Sequence, residues 1–132
     1  MTFARRNFIA LDHVQVAMPP GEEARARAFY VGILGMSELE KPERLAARGG
    51  CWFAGGEGAA VQIHCGVESD FRPAKKAHPA VLVIGIDQLA DTLGKAGHPV
   101  RWVDDLEGLR RFFCDDPFGN RLEFIGSIED DM

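Results

Sequence analysis

The chain has 132 residues, the length of one ordinary domain. Its composition, 46% hydrophobic and 27% charged residues, allows a sizeable core. Its formal net charge of −5 argues against a binder of nucleic acid or of acidic membranes, because both need a basic surface. No apolar run reaches the length of a signal peptide or a membrane helix. The three cysteines are odd in number and widely spaced, which predicts free thiols in a cytoplasmic protein.

The first half of the chain carries the patterns of a strand, a helix and three strands. Residues 9–18 alternate in polarity, which predicts a strand with an apolar face and a face that holds His13 and Gln15. Residues 22–34 repeat apolar side chains at spacings of three and four, which predicts a helix. Three short strands are then predicted, over residues 38–41, 48–54 and 59–66.

The second half repeats this order. Residues 78–86 are the most β-rich run of the chain, and Asp87 is placed to cap a helix over 88–96. Three strands are predicted after it, over residues 100–103, 110–114 and 121–125. Residues 1–8 and the acidic residues 127–132 have no clear period, and we expect loose ends there.

The pattern is therefore an internal repeat of about sixty residues. One unit spans about 9–66 and the other about 78–126. A single βαβββ unit has too small a core to stand alone, so we expect one domain over residues 1–132. The predicted fold class is α+β, with two tandem βαβββ units that form a curved mixed sheet around a cleft and carry their helices outside.

Glu123 is the residue that most needs an explanation. It lies in a short strand whose neighbours Leu122 and Phe124 point to the opposite, core-facing side. A buried carboxylate without a partner is costly, so Glu123 requires one. Arg110 and Arg111, on the preceding strand, are candidate partners for an ion pair.

Other polar residues also interrupt apolar strands. These residues are His13, Gln62, His64, His78 and Glu123. Two imidazoles and a carboxylate are a common binding set for a divalent transition metal such as Zn, Ni, Co, Mn or Fe, and an amide oxygen is a weaker fourth ligand. Strand alternation places His13, Gln62 and Glu123 opposite the core-facing side chains, while for His78 it is uninformative because both faces of its strand are apolar.

Three segments in this order resemble the vicinal-oxygen-chelate superfamily, which includes glyoxalase I, bleomycin-resistance proteins, fosfomycin-resistance enzymes, methylmalonyl-CoA epimerase and extradiol dioxygenases. The segments are Leu11-Asp12-His13-Val14, residues 28–36 with Phe29-Tyr30 and Leu34-Gly35, and Asp116-Pro117-Phe118-Gly119-Asn120-Arg121-Leu122-Glu123. The resemblance covers residues 9–126 and implies the paired βαβββ fold.

The resemblance also implies metal ligands at His13, His78 and Glu123. The fourth ligand of the family falls on the strand with Gln62 and His64; Gln62 sits where epimerase-like members carry Gln, and a shift of two residues would substitute His64. Neither position holds the carboxylate that glyoxalase I uses in proton transfer, which argues against that activity.

The first functional hypothesis is a metal-dependent isomerase, lyase or epimerase with His64 and Glu123 as catalytic residues, acting on a small substrate with neighbouring oxygens. The alternative is a metal-free protein that sequesters a small molecule, as bleomycin-resistance proteins do. An extradiol-type dioxygenase is a further alternative. Family members of this size are usually homodimers, so the resemblance implies a homodimer, and no nucleic-acid or membrane partner is expected.

Overall fold

The structure, a computed structural model, describes residues 7–127. It contains eight strands and three short α-helices; the strands and two of the helices follow the predicted order, and the helix between the second and third strands was not predicted. The strands are β1 Val14–Met18, β2 Ser37–Leu39, β3 Cys51–Gly55, β4 Val61–Val67, β5 Ala80–Val83, β6 Arg101–Val103, β7 Arg111–Asp115 and β8 Arg121–Gly126. The α-helices are α1 Glu23–Arg27, α2 Glu43–Ala46 and α3 Ile86–Lys95.

The strands form two four-stranded mixed sheets, one from each half of the chain. The first sheet has the order β1-β4-β3-β2 and the second the order β5-β8-β7-β6. In both, the first strand of the unit runs parallel to the last, and the remaining pairs are antiparallel. This arrangement of two βαβββ units confirms the predicted α+β fold class.

One hydrophobic cluster joins the two sheets. The first sheet contributes Val16 and Ile63, the second contributes Phe112 and Leu122, and buried helical side chains such as Phe29 complete it. Because side chains alternate along a strand, each sheet then has one face toward this core and one face away from it. The polar candidates lie on the faces that point away.

Several element boundaries differ from the prediction. The first strand begins at Val14, and Ile9 and Leu11 are exposed before it. The predicted helix over 22–34 is α-helical only to Arg27 and continues as a π-helical segment over Ala28–Ile33. There the wider turn accompanies the burial of the adjacent rings of Phe29 and Tyr30.

The prediction that Asp87 caps the second helix is wrong. The helix begins at Ile86, one residue before Asp87. Gly85 occupies the cap position in a left-handed conformation, without a capping hydrogen bond from a side chain. Asp87 instead pairs with Arg110 across the surface, because its carboxylate lies within 2.6 and 2.9 Å of the guanidinium.

The expectations for residues 1–6 and 128–132 lie outside the described residues. Over residues 7–127, every helix is too short or too polar to cross a membrane.

Candidate functional site

The outward face of the first sheet gathers three of the predicted residues. The register pairs Gln15 with His64 and Ala54 with Gln62, so these side chains share one face, and His13 extends it at the start of β1. They line a cavity of about 510 Å³. Its lining residues are Asp12, His13, Gln15, Leu39, Glu40, Trp52, Gln62 and His64.

His64 is held between two rings in this cavity. Its imidazole stacks on His13 with centroids 4.0 Å apart and an angle of 8°, and Trp52 stacks on the other side at 4.5 Å. A metal ion lies in the plane of each imidazole that binds it, so two nearly parallel stacked rings do not meet at one metal. Burial, with a smaller contribution from His13, lowers the pKa of His64. Its Nε2 atom is buried and has no hydrogen-bond partner within residues 7–127.

His13 has the arrangement of an oriented metal ligand. Its Nδ1 atom lies 2.8 Å from Oδ2 of Asp12. A carboxylate on one ring nitrogen fixes the tautomer and leaves the other nitrogen, Nε2, with a lone pair. Gln62, on the same face, offers an amide oxygen. The first sheet therefore contributes one imidazole nitrogen and one neutral oxygen donor.

The outward face of the second sheet holds Glu123 and supplies its partners. Glu123 is buried, with 7% of its surface exposed. His78 Nε2 lies 2.8 Å from its Oε1 atom, and Arg111 Nη1 donates to Oε2 over 2.9 Å. Burial alone would raise the pKa of Glu123, but the hydrogen bonds from Arg111 and His78 outweigh it and hold the pKa below its ordinary value. Of the two arginines predicted as partners, Arg111 is the one that pairs.

His78 faces an acceptor on both sides of its ring. Nδ1 lies 2.8 Å from the carbonyl oxygen of Lys76, which only accepts, so Nδ1 carries a proton. Nε2 then faces a carboxylate oxygen, which is also an acceptor. An imidazole nitrogen and a carboxylate oxygen therefore lie close enough together to bind one ion.

Arg111 bridges the buried Glu123 and the exposed Asp105. Its Nη2 atom donates to both carboxylate oxygens of Asp105, at 2.8 and 2.7 Å, while Nη1 binds Glu123. Its Nε atom is buried and has no partner in the described part of the chain. The sequence named Arg111 only as one of two candidates and did not indicate Asp105, which lies in the irregular loop before β7.

The two sets of polar residues lie on different sheets. His13, Gln62 and His64 lie on the outward face of the first sheet, and His78 and Glu123 lie on the outward face of the second. Accordingly, residues 7–127 contain no group of three or more His, Cys, Asp or Glu side chains placed to hold one metal ion. We call His13, Gln62 and His64 the first half-site, and His78 and Glu123 the second half-site.

Comparisons with known proteins relate the whole chain to one family. The family model Glyoxalase, described as the Glyoxalase/Bleomycin resistance protein/Dioxygenase superfamily, matches residues 10–124. The comparison with curated proteins gives no match.

Solved structures share the fold over nearly the whole chain. A glyoxalase family protein from Bacillus anthracis is 50% identical, with 92% of this chain and 98% of that chain covered and a TM-score of 0.86. A glyoxalase family protein from Enterococcus faecalis is 26% identical, with 89% and 98% covered and a TM-score of 0.64. The fosfomycin resistance protein FosX from Listeria monocytogenes, 14% identical with 95% and 99% covered and a TM-score of 0.69, shares the fold alone.

Proposed function

Because the chain belongs to the glyoxalase/bleomycin resistance protein/dioxygenase superfamily, we propose that it is a divalent-metal-dependent enzyme. Its substrate is a small molecule with two neighbouring oxygen atoms, and the reaction is of the isomerase, lyase or epimerase type. The observation that carries this proposal is the contact of His78 Nε2 with Glu123 Oε1 at 2.8 Å, which brings an imidazole nitrogen and a carboxylate oxygen within reach of one metal ion.

The residues of both half-sites fit a metal. His13 and His78 each have Nδ1 held by an acceptor and Nε2 directed elsewhere, the pattern that carboxylates and carbonyls impose on metal-binding imidazoles. With Glu123 and Gln62 they make a set of two nitrogens and two oxygens, which suits Zn, Ni, Co, Mn or Fe. The stacking of His64 on His13 favours Gln62 over His64 as the fourth ligand.

We propose that the two half-sites come together in a homodimer, with one half-site from each protomer. Exposed apolar side chains support this proposal, since Leu82 is 70% and Ile84 is 68% exposed beside the second half-site. Ile9 and Leu11, just before His13, are also exposed. Large exposed apolar residues beside each half-site are typical of surfaces that another molecule covers.

When bound, the metal supplies Lewis-acid stabilisation of an oxyanion on the substrate. The chain itself supplies His64 as the group that moves a proton, because it lies in the cavity with His13 and Gln62. Trp52 holds the His64 ring from one side and excludes water from it. Glu123 anchors the site, since Arg111 and His78 fix both of its oxygens.

Elemental analysis of protein purified without chelator tests the proposal. We expect a transition metal near one ion per chain and a loss of affinity of about tenfold or more in His78→Ala and Glu123→Gln. Asp91→Asn, which removes an exposed carboxylate that pairs with Lys95, is the matched control and retains the metal. The proposal is contradicted if the purified protein holds no metal and binds none of Zn, Ni, Co, Mn and Fe on reconstitution.

A second candidate function is a metal-free protein that sequesters a small molecule in the cavity lined by Trp52. The ion pair of Arg111 with Glu123 favours it, because the arginine can balance the buried carboxylate without a metal. Arg111→Gln separates the two. In a metal enzyme the variant binds metal more tightly, because a positive charge next to the ligand Glu123 is removed. In a metal-free binder the variant gains no metal and unfolds more easily, because Glu123 keeps only His78 as a partner.

A further inference from the structure

Arg121 differs from the other arginines on the outward face of the second sheet. Arg101 pairs with Asp115 at 3.0 Å, and Arg111 pairs with Asp105 and Glu123. Arg121 lies directly opposite Asp115 in the register of β7 and β8, yet Asp115 binds Arg101 instead. Within residues 7–127 the Arg121 guanidinium thus has no carboxylate partner and no hydrogen bond to a side chain.

The Arg121 guanidinium instead rests on an aromatic ring. Its Cζ atom lies 4.9 Å from the centroid of Phe113, an attractive cation–π arrangement that keeps the guanidinium oriented. The same ring meets His78 edge-on, with centroids 5.2 Å apart. Phe113 therefore connects the guanidinium to the imidazole of the second half-site.

The backbone places more positive charge beside Arg121. Arg121 N donates to the carbonyl of Ala74 over 2.9 Å, and Glu123 N donates to the carbonyl of Pro79 over 3.0 Å. These bonds hold residues 74–79 alongside β8. The side chains of Lys75 and Lys76 in this segment are exposed. A concentration of cations at this place is notable because the whole chain has a net charge of −5.

We propose that Arg121 binds a carboxylate of the substrate, and that the substrate is an acid whose carboxylate lies a few bonds from its pair of neighbouring oxygens. Arg121 and Glu123 are two positions apart on one strand face, which separates their Cα atoms by about 7 Å. A planar guanidinium with unused donors matches a carboxylate in a two-bond contact. Lys75 and Lys76 attract the anion and add no directional contact.

This inference rests on the proposed function, because the pair of oxygens is assigned to the metal held by His78 and Glu123. Matched probes isolate the carboxylate: 2-oxoglutarate carries a ketone beside one carboxylate and a second, distant carboxylate, whereas 2-oxopentanoate ends in a methyl group. We expect calorimetry to give at least about tenfold tighter binding of 2-oxoglutarate to the wild-type protein, the difference that a charge-assisted contact supplies.

Variants of matched charge complete the test. Arg121→Gln is expected to bring the ratio of the two dissociation constants to within about twofold of one, and Arg121→Lys to an intermediate value. Lys95→Gln also removes one positive charge, from an exposed ion pair with Asp91 on α3, and keeps the wild-type ratio because it leaves the Arg101–Asp115 pair intact. Circular dichroism and melting curves establish that each variant is folded.

The outcomes separate this inference from the proposed function. If the purified protein binds metal but Arg121→Gln keeps the preference for 2-oxoglutarate, the carboxylate assignment is overturned and the proposed function stands. If no metal binds but the preference depends on Arg121, the carboxylate assignment stands and the metal enzyme is overturned. Tighter Arg121-dependent binding of inorganic phosphate than of 2-oxoglutarate overturns the assignment to a carboxylate.

Discussion

The hydroxyl group of Tyr30 donates a hydrogen bond to Oδ2 of Asp116 over 2.8 Å, between residues 86 positions apart and both buried. Tyr30 belongs to the helical segment of the first unit, and Asp116 opens the turn between β7 and β8 of the second. Asn120, in the same turn, donates to the carbonyl of Ala17 in the first sheet. This turn therefore docks the second unit onto the first, directly before the strand that carries Arg121 and Glu123.

Tyr30→Phe removes the hydroxyl and leaves the ring in place. We expect the free energy of unfolding to fall by about 1–2 kcal/mol, because a buried carboxylate loses one of its donors. Chemical denaturation measures the change. The surface variant Asp91→Asn should stay within about 0.5 kcal/mol of the wild type, and an equally small change in Tyr30→Phe would mean that the docking contact contributes little.

Asp116 should make the stability of the protein depend on pH. Burial raises the pKa of Asp116, although hydrogen bonds from Asn120 and Tyr30 lower it in part. A pKa that is higher in the folded state means that folding takes up protons between the unfolded and folded pKa values, so this contribution to stability is present at low pH and is lost as the pH rises.

The comparison of the wild type with Asp116→Asn isolates that contribution. Melting curves from pH 3 to pH 7 should show the wild type gaining stability relative to the variant as the pH falls toward the ordinary pKa of aspartate, 3.8. The opposite slope, with the wild type gaining as the pH rises, would mean that the hydrogen bonds outweigh burial.

Gly50 occupies a position that other residues cannot take without strain. Its φ angle is +87°, and an added Cβ atom would meet the carbonyl oxygen of Cys65 on the neighbouring strand. We expect Gly50→Ala to destabilise the protein by more than the roughly 1–3 kcal/mol of backbone strain. Gly35→Ala is the matched control, since Gly35 has a φ angle of +77° and open space around its Cβ position. Equal losses in the two variants would refute the clash with Cys65.

The three cysteines should be unreactive in the folded protein. All three are free, as the sequence predicted, and the structure buries all of them. Burial raises the pKa of Cys51 and of Cys65, and that of Cys114 to about 11, so little thiolate forms near neutral pH. Labelling with a thiol-reactive disulfide at pH 8 should be slow in the native protein and complete after unfolding. Rapid labelling of the native protein would mean that the sheets open readily.

The sequence predicted which strand faces carry polar residues. Alternation along β4 and β8 placed Gln62 and Glu123 opposite core residues such as Ile63 and Leu122, and the strand registers agree. It also led to two candidate partners for Glu123, of which Arg111 pairs. It erred at Asp87, because the cap depends on the backbone conformation of Gly85, which a residue preference does not specify.

The local rules of alternation and helical spacing act between near neighbours, so the sequence by itself determined the repeat, the strand faces and the family. It left undecided how the candidate ligands meet, since that depends on contacts between distant segments. Only the tertiary structure put the two half-sites on different sheets, stacked His64 between Trp52 and His13, and paired Asp115 with Arg101 in preference to Arg121. The reason is that long-range packing sets which charges are close enough to pair, and within residues 7–127 that pairing leaves the Arg121 guanidinium without a carboxylate partner.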